Sequence, residues 1–422
     1  MTCGRPNRSP NHFMEHEITF TTFTYGGDTM GRLADGRAVF IPFGLPGERV
    51  RVRLTEEKRS FARGELVEVL EVSPRRIIPR CIHFGVCGGC HYQNLPYEDQ
   101  LLAKTEILRD QLIRIGKIEN PPVQKMVASS NPWNYRNHVQ FHLTKDGRLG
   151  YMGAGTTSAQ GIIPISECHL PEVFINSLWP QLEFEPEMNI ERVSLRAGKD
   201  EDLMLVLESD SPDAPELETE AEISVAHVYG VNAVVIAGND HIVLRVLGRD
   251  FRTSAASFFQ VNTVMAEKMV HHLLTYLPVS SSTTLLDVYC GVGLFSAFLA
   301  PKCKTVIGIE SSESAREDFA ANLDEFDNVE LYEGLADDVI PYLEAQPDIV
   351  LLDPPRAGLE KRVADGILRL NPRLIAYVSC DPSTLARDAA RLLNGGYRLK
   401  DVTPFDLFPQ TYHIESISLF ER

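Results

Sequence analysis

The chain has 422 residues, 44% of them hydrophobic and 23% charged, with a formal net charge of −17. That length accommodates about two to four domains, each able to bury its own core, and no apolar run approaches the ~20 residues that span a bilayer. The polar first residues lack the apolar stretch of a secretory signal, so the chain reads as cytoplasmic, with no membrane partner.

Residues 1–13 read as a disordered extension, with Met14 as a second candidate start. An acidic chain suits a polyanion poorly, but the charge is uneven. Residues 1–125 hold 18 Lys+Arg and 15 Asp+Glu, a net of +3, which leaves −20 for the remainder. Contact with a polyanion therefore falls on the first third and on local patches elsewhere.

From residue 17 to about 72 the pattern is five short β runs with turns, the signature of a small OB-type barrel. Arg49, Arg51 and Arg53 share one strand face, and Val50, Val52 and Leu54 share the other. That puts core on one side and a basic stripe on the other, which suits a phosphate backbone; a solvated strand edge reads equally from the same pattern. Tyr25-Gly26-Gly27-Asp28, Gly31-Arg32 and Phe43-Gly44-Leu45-Pro46-Gly47-Glu48 resemble a TRAM domain, an RNA-binding module of RNA-modifying enzymes, over residues 14–72.

Eight cysteines in a cytosolic chain are poor disulfide candidates. Cys81, Cys87 and Cys90 form a Cys-x5-Cys-x2-Cys loop rich in glycine, which lets the backbone wrap closely and aim several sulfurs inward. Zinc asks for a fourth Cys or His, with His83, His91, Cys168 and His169 available. A cubane iron–sulfur cluster asks for four thiolates, and Cys168 supplies the last. The spacing leaves zinc and iron open.

Residues 97–116 read as a helix, with Leu101, Leu108, Leu112 and Ile115 at helical steps and Gly116 as its stop. It reads as a packing helix that carries no chemistry and rests on the last domain. Residues 133–250 read as β-rich, with strands over 135–143, 192–196, 203–207 and 241–247. His138 and His142 fall on what reads as a wetted strand face. Residues 208–222 hold seven acids and no base, a solvated loop.

From residue 251 strands alternate with helices, as in doubly wound α/β folds. A strand over 284–289 carries Asp287 and runs into Gly291-Val292-Gly293. A second strand, over 305–310, ends in Glu310, 23 residues after Asp287, where an adenosine ribose meets a carboxylate. That pairing fits a dinucleotide or S-adenosylmethionine. The absence of a third glycine and the Asp353-Pro354-Pro355-Arg356 that follows favour the methyl donor. Cys380 closes another apolar strand and is followed at once by a turn, which presents a thiol at a sheet edge.

Ser379-Cys380-Asp381-Pro382-Ser383 and Asp353-Pro354-Pro355-Arg356 resemble the RNA uracil-C5 methyltransferases. So do Ser257-Phe258-Phe259-Gln260-Val261-Asn262, Asp287-Val288-Tyr289-Cys290-Gly291-Val292-Gly293 and the stretch from Phe405 to Glu415. The resemblance spans nearly the whole chain. It implies an α/β fold with a C-terminal class I, Rossmann-like methyltransferase domain over 251–422, an N-terminal OB-like barrel over 14–72 and a central β-rich iron–sulfur domain over 73–250.

It further implies Cys380 as nucleophile, Glu415 as base, Asp353 and Phe258 on the uracil, and Gln260, Tyr289, Glu310 and Asp353 on S-adenosylmethionine. Cys81, Cys87, Cys90 and Cys168 would hold a 4Fe-4S cluster. Arg356 would grip a phosphate or the Asp353 loop. Likeness to the TRAM-bearing branch points to 23S rRNA, with the tRNA T-loop second, and to a monomer. The rival from another class is a non-catalytic iron–sulfur RNA-binding protein. Two positions depart from the family: Leu294 and Gly334 stand where asparagine is common, and Asp337 is the candidate replacement.

Overall fold

The computed structural model describes residues 15–155, 161–186, 188–216 and 223–422. The N-terminal extension with Met14 and Cys3, and the end of the acidic loop from residue 217, lie outside them. The chain forms two units, one of residues up to Arg80 with His91–Pro96, the other of Cys81–Cys90 with Tyr97–Arg422.

In the first unit, apolar alternation closes a five-stranded barrel in the order β1-β2-β3-β5-β4. Its strands are β1 (Glu15–Phe23), β2 (Asp28–Arg32), β3 (Ala38–Pro42), β4 (Arg49–Glu57) and β5 (Phe61–Glu71). Ile18, Phe20, Val39, Ile41, Val50, Val52 and Ala62 fill it. β5 crosses β4 tightly: a side chain at Gly64 would put its Cβ 2.4 Å from the Arg53 carbonyl oxygen, so glycine is required. The buried Glu48 anchors the exit, accepting from Arg76 Nε at 2.6 Å and Nη2 at 2.7 Å and from the Leu45 amide at 2.9 Å.

The basic stripe on β4 is not available as read from the sequence. Arg49 pairs with Glu17 and Glu71, Arg51 with Glu15, Glu17 and Glu68, and Arg53 with Glu15 and Glu65. Antiparallel pairing with β1 and β5 sets glutamates on both sides of each arginine. The face is a ladder of ion pairs in which five glutamates outnumber three arginines, and exposed pairs of this kind add little stability.

The second unit begins with the cysteine loop and α1 (Tyr97–Arg114). A seven-stranded sheet follows, in the order β12-β11-β10-β9-β6-β7-β8. It is built of β6 (His138–Leu143), β7 (Leu149–Met152), β8 (Ile162–Pro164), β9 (Arg192–Ala197), β10 (Leu203–Ser209), β11 (Ser224–Tyr229) and β12 (Asn232–Ala237), with α2 (Val173–Leu178) beside it. Val139, Phe141, Trp179, Val193, Leu195, Leu205 and Leu207 form its core. His138 is half-buried rather than fully wetted. Its Nε2 is buried without a hydrogen-bond partner among the described residues, and burial beside Arg196 and Arg136 pushes its pKa down to about 3, which keeps it neutral.

The hairpin β13 (His241–Val246) and β14 (Arg249–Ser254) leads into α3 (Thr263–Tyr276) and a second seven-stranded sheet. Its elements run β15 (Thr284–Val288), α4 (Leu294–Leu299), β16 (Thr305–Glu310), α5 (Glu313–Asn322), β17 (Val329–Glu333), α6 (Ala336–Val339), β18 (Ile349–Leu352), α7 (Lys361–Leu370), β19 (Leu374–Ser379), α8 (Pro382–Asn394), β20 (Arg398–Phe405) and β21 (Glu415–Glu421). The order is β17-β16-β15-β18-β19-β21-β20, with β15 to β19 parallel and β21 antiparallel to β19. Fully buried runs such as Ile349–Leu352 suit a parallel sheet covered on both faces. This is the fold class expected. Among the described residues no helix is long and apolar enough to cross a membrane.

Helix α1 does more than pack. Ile115 at its end is exposed, whereas Gln100 and Lys104 are buried. Lys104 Nζ donates to Asp406 Oδ1 at 2.6 Å and to the Phe408 carbonyl at 3.0 Å. Gln100 donates to Gln410 Oε1 at 3.0 Å and accepts from the Gln410 amide at 3.1 Å. The helix thereby clamps the loop between β20 and β21.

Candidate active site

Strand register sets the site. Leu352 pairs with Val288 on one side and Tyr377 on the other, so Asp353 leaves the sheet between two parallel neighbours. Ser379 pairs with Ser416. One position further, Cys380 leaves β19 where Glu415 enters β21. The turn after Cys380 is pinned: Asp381 caps α8, its carboxylate accepting from the Ser383 and Thr384 amides at 2.8 and 3.0 Å.

The titratable groups form one chain of neighbours. Burial, then the charges of Glu415 and Asp353, push the Cys380 thiol up to about 12, against the pull of Arg356. Burial and Asp353 hold the Glu415 carboxyl well above its usual range, again opposed by Arg356. Burial and Asp287 raise Asp353 to about 7. Burial raises Asp287 to about 7 against a 2.5 Å hydrogen bond from Ser296 Oγ, with Glu310 adding repulsion. Pairs of titratable groups pushed away from their ordinary values in one cleft are the mark of acid–base chemistry. Arg356 is exposed at this edge.

Beside this edge lies a cavity of about 160 Å³ lined by Tyr289, Glu310, Gly334, Leu335, Asp337 and Glu360, among others. Tyr289 holds a left-handed φ of 65°, a conformation that a bulky side chain adopts only when its surroundings impose it. The Glu310 carboxylate is oriented by the amides of Gly291 at 3.0 Å and of Ser311 and Ser312 at 2.8 Å each. Gly334 has a φ of 139° and lines the cavity beside Asp337, while Leu294 is buried in the core.

Phe258 and Gln260 lie on the segment before α3. Phe258 is 67% exposed, an unusual position for a phenyl ring, whereas Gln260 is buried. The segment is fastened by Ser257 Oγ to Ser314 Oγ at 3.1 Å, four residues past Glu310, and by Asn137 Nδ2 to the Gln260 carbonyl at 2.9 Å.

The fold also gathers the cysteine loop with Cys168. Cys87 senses the charges of Cys168 and Cys81, and Cys168 shares Arg136 as a neighbour with Cys90. The Cys87 sulfur accepts from the Gly89 amide at 3.4 Å. None of the described cysteines is in a disulfide. Burial pushes Cys87 up to about 11. Among the described residues no three His, Cys, Asp or Glu side chains are placed to hold a single metal ion.

Residues 231–422 match the family described as tRNA (Uracil-5-)-methyltransferase, and residues 11–67 match the TRAM domain. An uncharacterized RNA methyltransferase of Thermosynechococcus vestitus is 33% identical, over 96% of this chain and 97% of its own length. One of Caldanaerobacter subterraneus is 34% identical, over 97% and 98%. Among solved structures, the Pyrococcus abyssi tRNA (uracil-54, C5)-methyltransferase in complex with S-adenosyl-L-homocysteine is 25% identical. It superposes with a TM-score of 0.71 over 96% of this chain and 100% of its own.

The chain belongs to the RNA uracil-C5 methyltransferases. As in that family, its reaction is the S-adenosylmethionine-dependent methylation of uracil C5 in RNA.

In this methyltransferase the cofactor's fit can be tested on an orphaned atom. Asp287 Oδ1 is buried without a hydrogen-bond partner among the described residues, although its other oxygen is bonded. A desolvated carboxylate oxygen beside the glycine turn suits the ammonium of a methionine moiety. Sequence reading placed Asp287 in the cofactor loop but gave it no role. The available signal was an acid inside an otherwise apolar strand, Leu285-Leu286-Asp287-Val288. Glu360 at the cavity rim was also missed, and it carries no sequence signal of its own.

Proposed function

We propose that this enzyme methylates C5 of one uridine in 23S rRNA through a covalent bond between Cys380 and C6 of a flipped uracil. The observation that carries the reading is the facing pair Cys380 and Glu415 with Asp353 beside them at one sheet edge. C5 of uracil is a weak nucleophile. The Cys380 thiol, which burial holds protonated in the free enzyme, gives up its proton to solvent, and addition of the resulting thiolate to C6 breaks the C5–C6 double bond and places the electron pair on C5 and O4 as an enolate. S-adenosylmethionine, when bound, would supply an electrophilic methyl group to C5, its bond to the sulfonium sulfur breaking and the electron pair staying on sulfur to leave S-adenosyl-L-homocysteine. Glu415, whose carboxyl burial and Asp353 hold well above its usual range, gives up its own proton to solvent before this step and then removes the C5 proton as carboxylate. The C5–C6 double bond re-forms, the C6–S bond breaks, and the electron pair returns to sulfur.

Asp353 has a role that its pKa near 7 supports. A protonated carboxyl offers one donor and one acceptor, matching O4 and N3–H of uracil, and its proton stabilises the enolate oxygen. The exposed ring of Phe258 offers a stacking face to a base drawn out of its helix. Tyr289 and Glu310 line the cavity for the adenosine end, with Asp337 replacing the asparagine that the family often has at the position of Gly334, and Gln260 completes the cofactor set.

Cys81, Cys87, Cys90 and Cys168 would hold a 4Fe-4S cluster. Four thiols from a glycine-rich loop and a distant segment, beside the guanidinium of Arg136, suit an anionic thiolate cluster. Such a cluster ties the loop to the central sheet. Iron and sulfide content of anaerobically purified protein tests it. About four irons per chain with absorbance near ~400 nm is expected for this chemistry, and stoichiometric zinc would refute it.

The TRAM and four-cysteine combination supports rRNA. A second reading, the tRNA T-loop, has its own support in the Pyrococcus abyssi enzyme, whose name assigns it uracil-54 of tRNA. Mapping 5-methyluridine in both RNAs from cells lacking the protein decides between them. Loss of one 23S rRNA site with tRNA intact is the expected result, and the reverse overturns the rRNA assignment.

A further inference from the structure

The cysteine site and the loop that delivers Glu415 are joined by one side chain. Arg136 lies in the segment 134–136, whose amides bond to the carbonyls of His169 and Leu170, directly after Cys168, at 2.9 Å each. Cys90 and Cys168 are both neighbours of its guanidinium, and among the described residues no carboxylate pairs with it. A half-buried guanidinium with no acid of its own needs a counter-charge, and a thiolate cluster provides it.

The same guanidinium sits over the Phe408 ring, 5.6 Å from its centroid, and over Tyr135 at 5.8 Å. Tyr135 Oη donates to the Pro409 carbonyl at 3.1 Å. Phe408 meets the ring of His413 edge-on at 5.3 Å, and His413 is two residues before Glu415. From cysteine to base the path is therefore Arg136, Phe408, His413, Glu415. Cation–π contacts of this type are strong enough to bias a loop but not to hold a fold.

We propose that Arg136 is a positioning residue that couples the four-cysteine site to the catalytic base through Phe408. The proposal rests on the covalent route and the cluster proposed above. An occupied cysteine site fixes Arg136, and Arg136 fixes the loop that aims Glu415. Addition and methyl transfer do not need the base, whereas removal of the C5 proton does. A loosened loop therefore leaves the methylated RNA attached to Cys380.

The test compares Arg136→Met and Phe408→Leu with wild type, reading iron content, single-turnover transfer of labelled methyl, and RNA–protein adduct on denaturing gels. Phe408→Leu should keep its iron and transfer methyl normally, yet accumulate adduct about 10-fold or more, the usual scale for a supporting contact. Arg136→Met should show the same adduct and lose iron faster to a chelator. Wild-type protein stripped of iron should also accumulate adduct.

Wild-type adduct levels in both variants overturn the proposal. So does equal loss of methyl transfer and release, which marks a merely structural role, and so does unchanged turnover after iron removal. Wild-type protein that forms no adduct with RNA carrying 5-fluorouridine, whose C5 bears fluorine and so has no proton for the base to remove, overturns the covalent route itself and the coupling with it.

Discussion

Cys380 and Glu415 face each other one position beyond the Ser379–Ser416 pair, where an antiparallel strand lies against the last parallel strand of the catalytic sheet. Parallel strands alone would bring a nucleophile and an acid to the same edge side by side. The reversed strand instead brings Glu415 back from a nine-residue loop that α1 clamps. Thiol and carboxyl can then be tuned by different parts of the chain.

The first prediction follows from that division. Glu415→Gln keeps the shape and removes the base. It should form the methylated Cys380 adduct at close to the wild-type rate and release it about 10²–10⁴-fold more slowly, the usual contribution of a positioned base. Time courses on denaturing gels check this. Normal release by the variant would take the role of base away from Glu415.

The buried Asp287 should be a site where function costs stability. Its pKa is raised to about 7 in the fold from a value near 3.8, mainly by burial. The folded state therefore binds the proton more tightly than the unfolded chain. That contribution is complete below about pH 4 and is lost as pH rises towards and through 7. Asp287→Asn removes this dependence. The variant should melt a few degrees above wild type at pH 8, little differently at pH 4, and bind S-adenosylmethionine more weakly. Thermal melts at the two pH values and calorimetric titration read both effects. A lower melting temperature at pH 8 would count against a strained carboxyl.

Lys104 and Asp406 form a fully buried ion pair. Removing one partner strands the other charge away from water. Lys104→Met should therefore destabilise the second unit by about 3–5 kcal/mol, and Lys104→Met with Asp406→Leu should regain most of it. Denaturant titration of the single and double variants measures the difference.

Replacing Arg49, Arg51 and Arg53 together with glutamine should leave the salt dependence of RNA binding nearly unchanged. An arginine that neutralises an RNA phosphate contributes about 0.7–0.9 to the log–log salt slope. These three arginines are already paired with glutamates on β1 and β5. Filter binding at several salt concentrations tests this, and a slope smaller by about two or more would mean that the ladder opens onto RNA.

Period and turn chemistry made much of the fold legible. The barrel, the alternating strands and helices from β15 onward, and the thiol at a strand end all come from local pattern. What escaped depends on partners far along the chain. Lys104 lies on a helix whose apolar periodicity reads as plain packing, and its partner is 302 residues away. The arginines of β4 read as a basic stripe because their glutamates sit on two other strands. His138 alternates like an exposed residue but is covered by its neighbours in the sheet. Arg136 and Asp287 show their meaning only once the fold has buried each of them with no ion-pair partner of Asp, Glu, Lys or Arg among the described residues.

The covalent route is tested most directly by incubating RNA with S-adenosylmethionine carrying a labelled methyl group, using wild type and Cys380→Ala, and digesting the RNA for mass spectrometry. The account predicts label in 5-methyluridine at one position with wild type and none with the variant, while the variant still binds RNA and melts like wild type. Labelled 5-methyluridine produced by Cys380→Ala would contradict it.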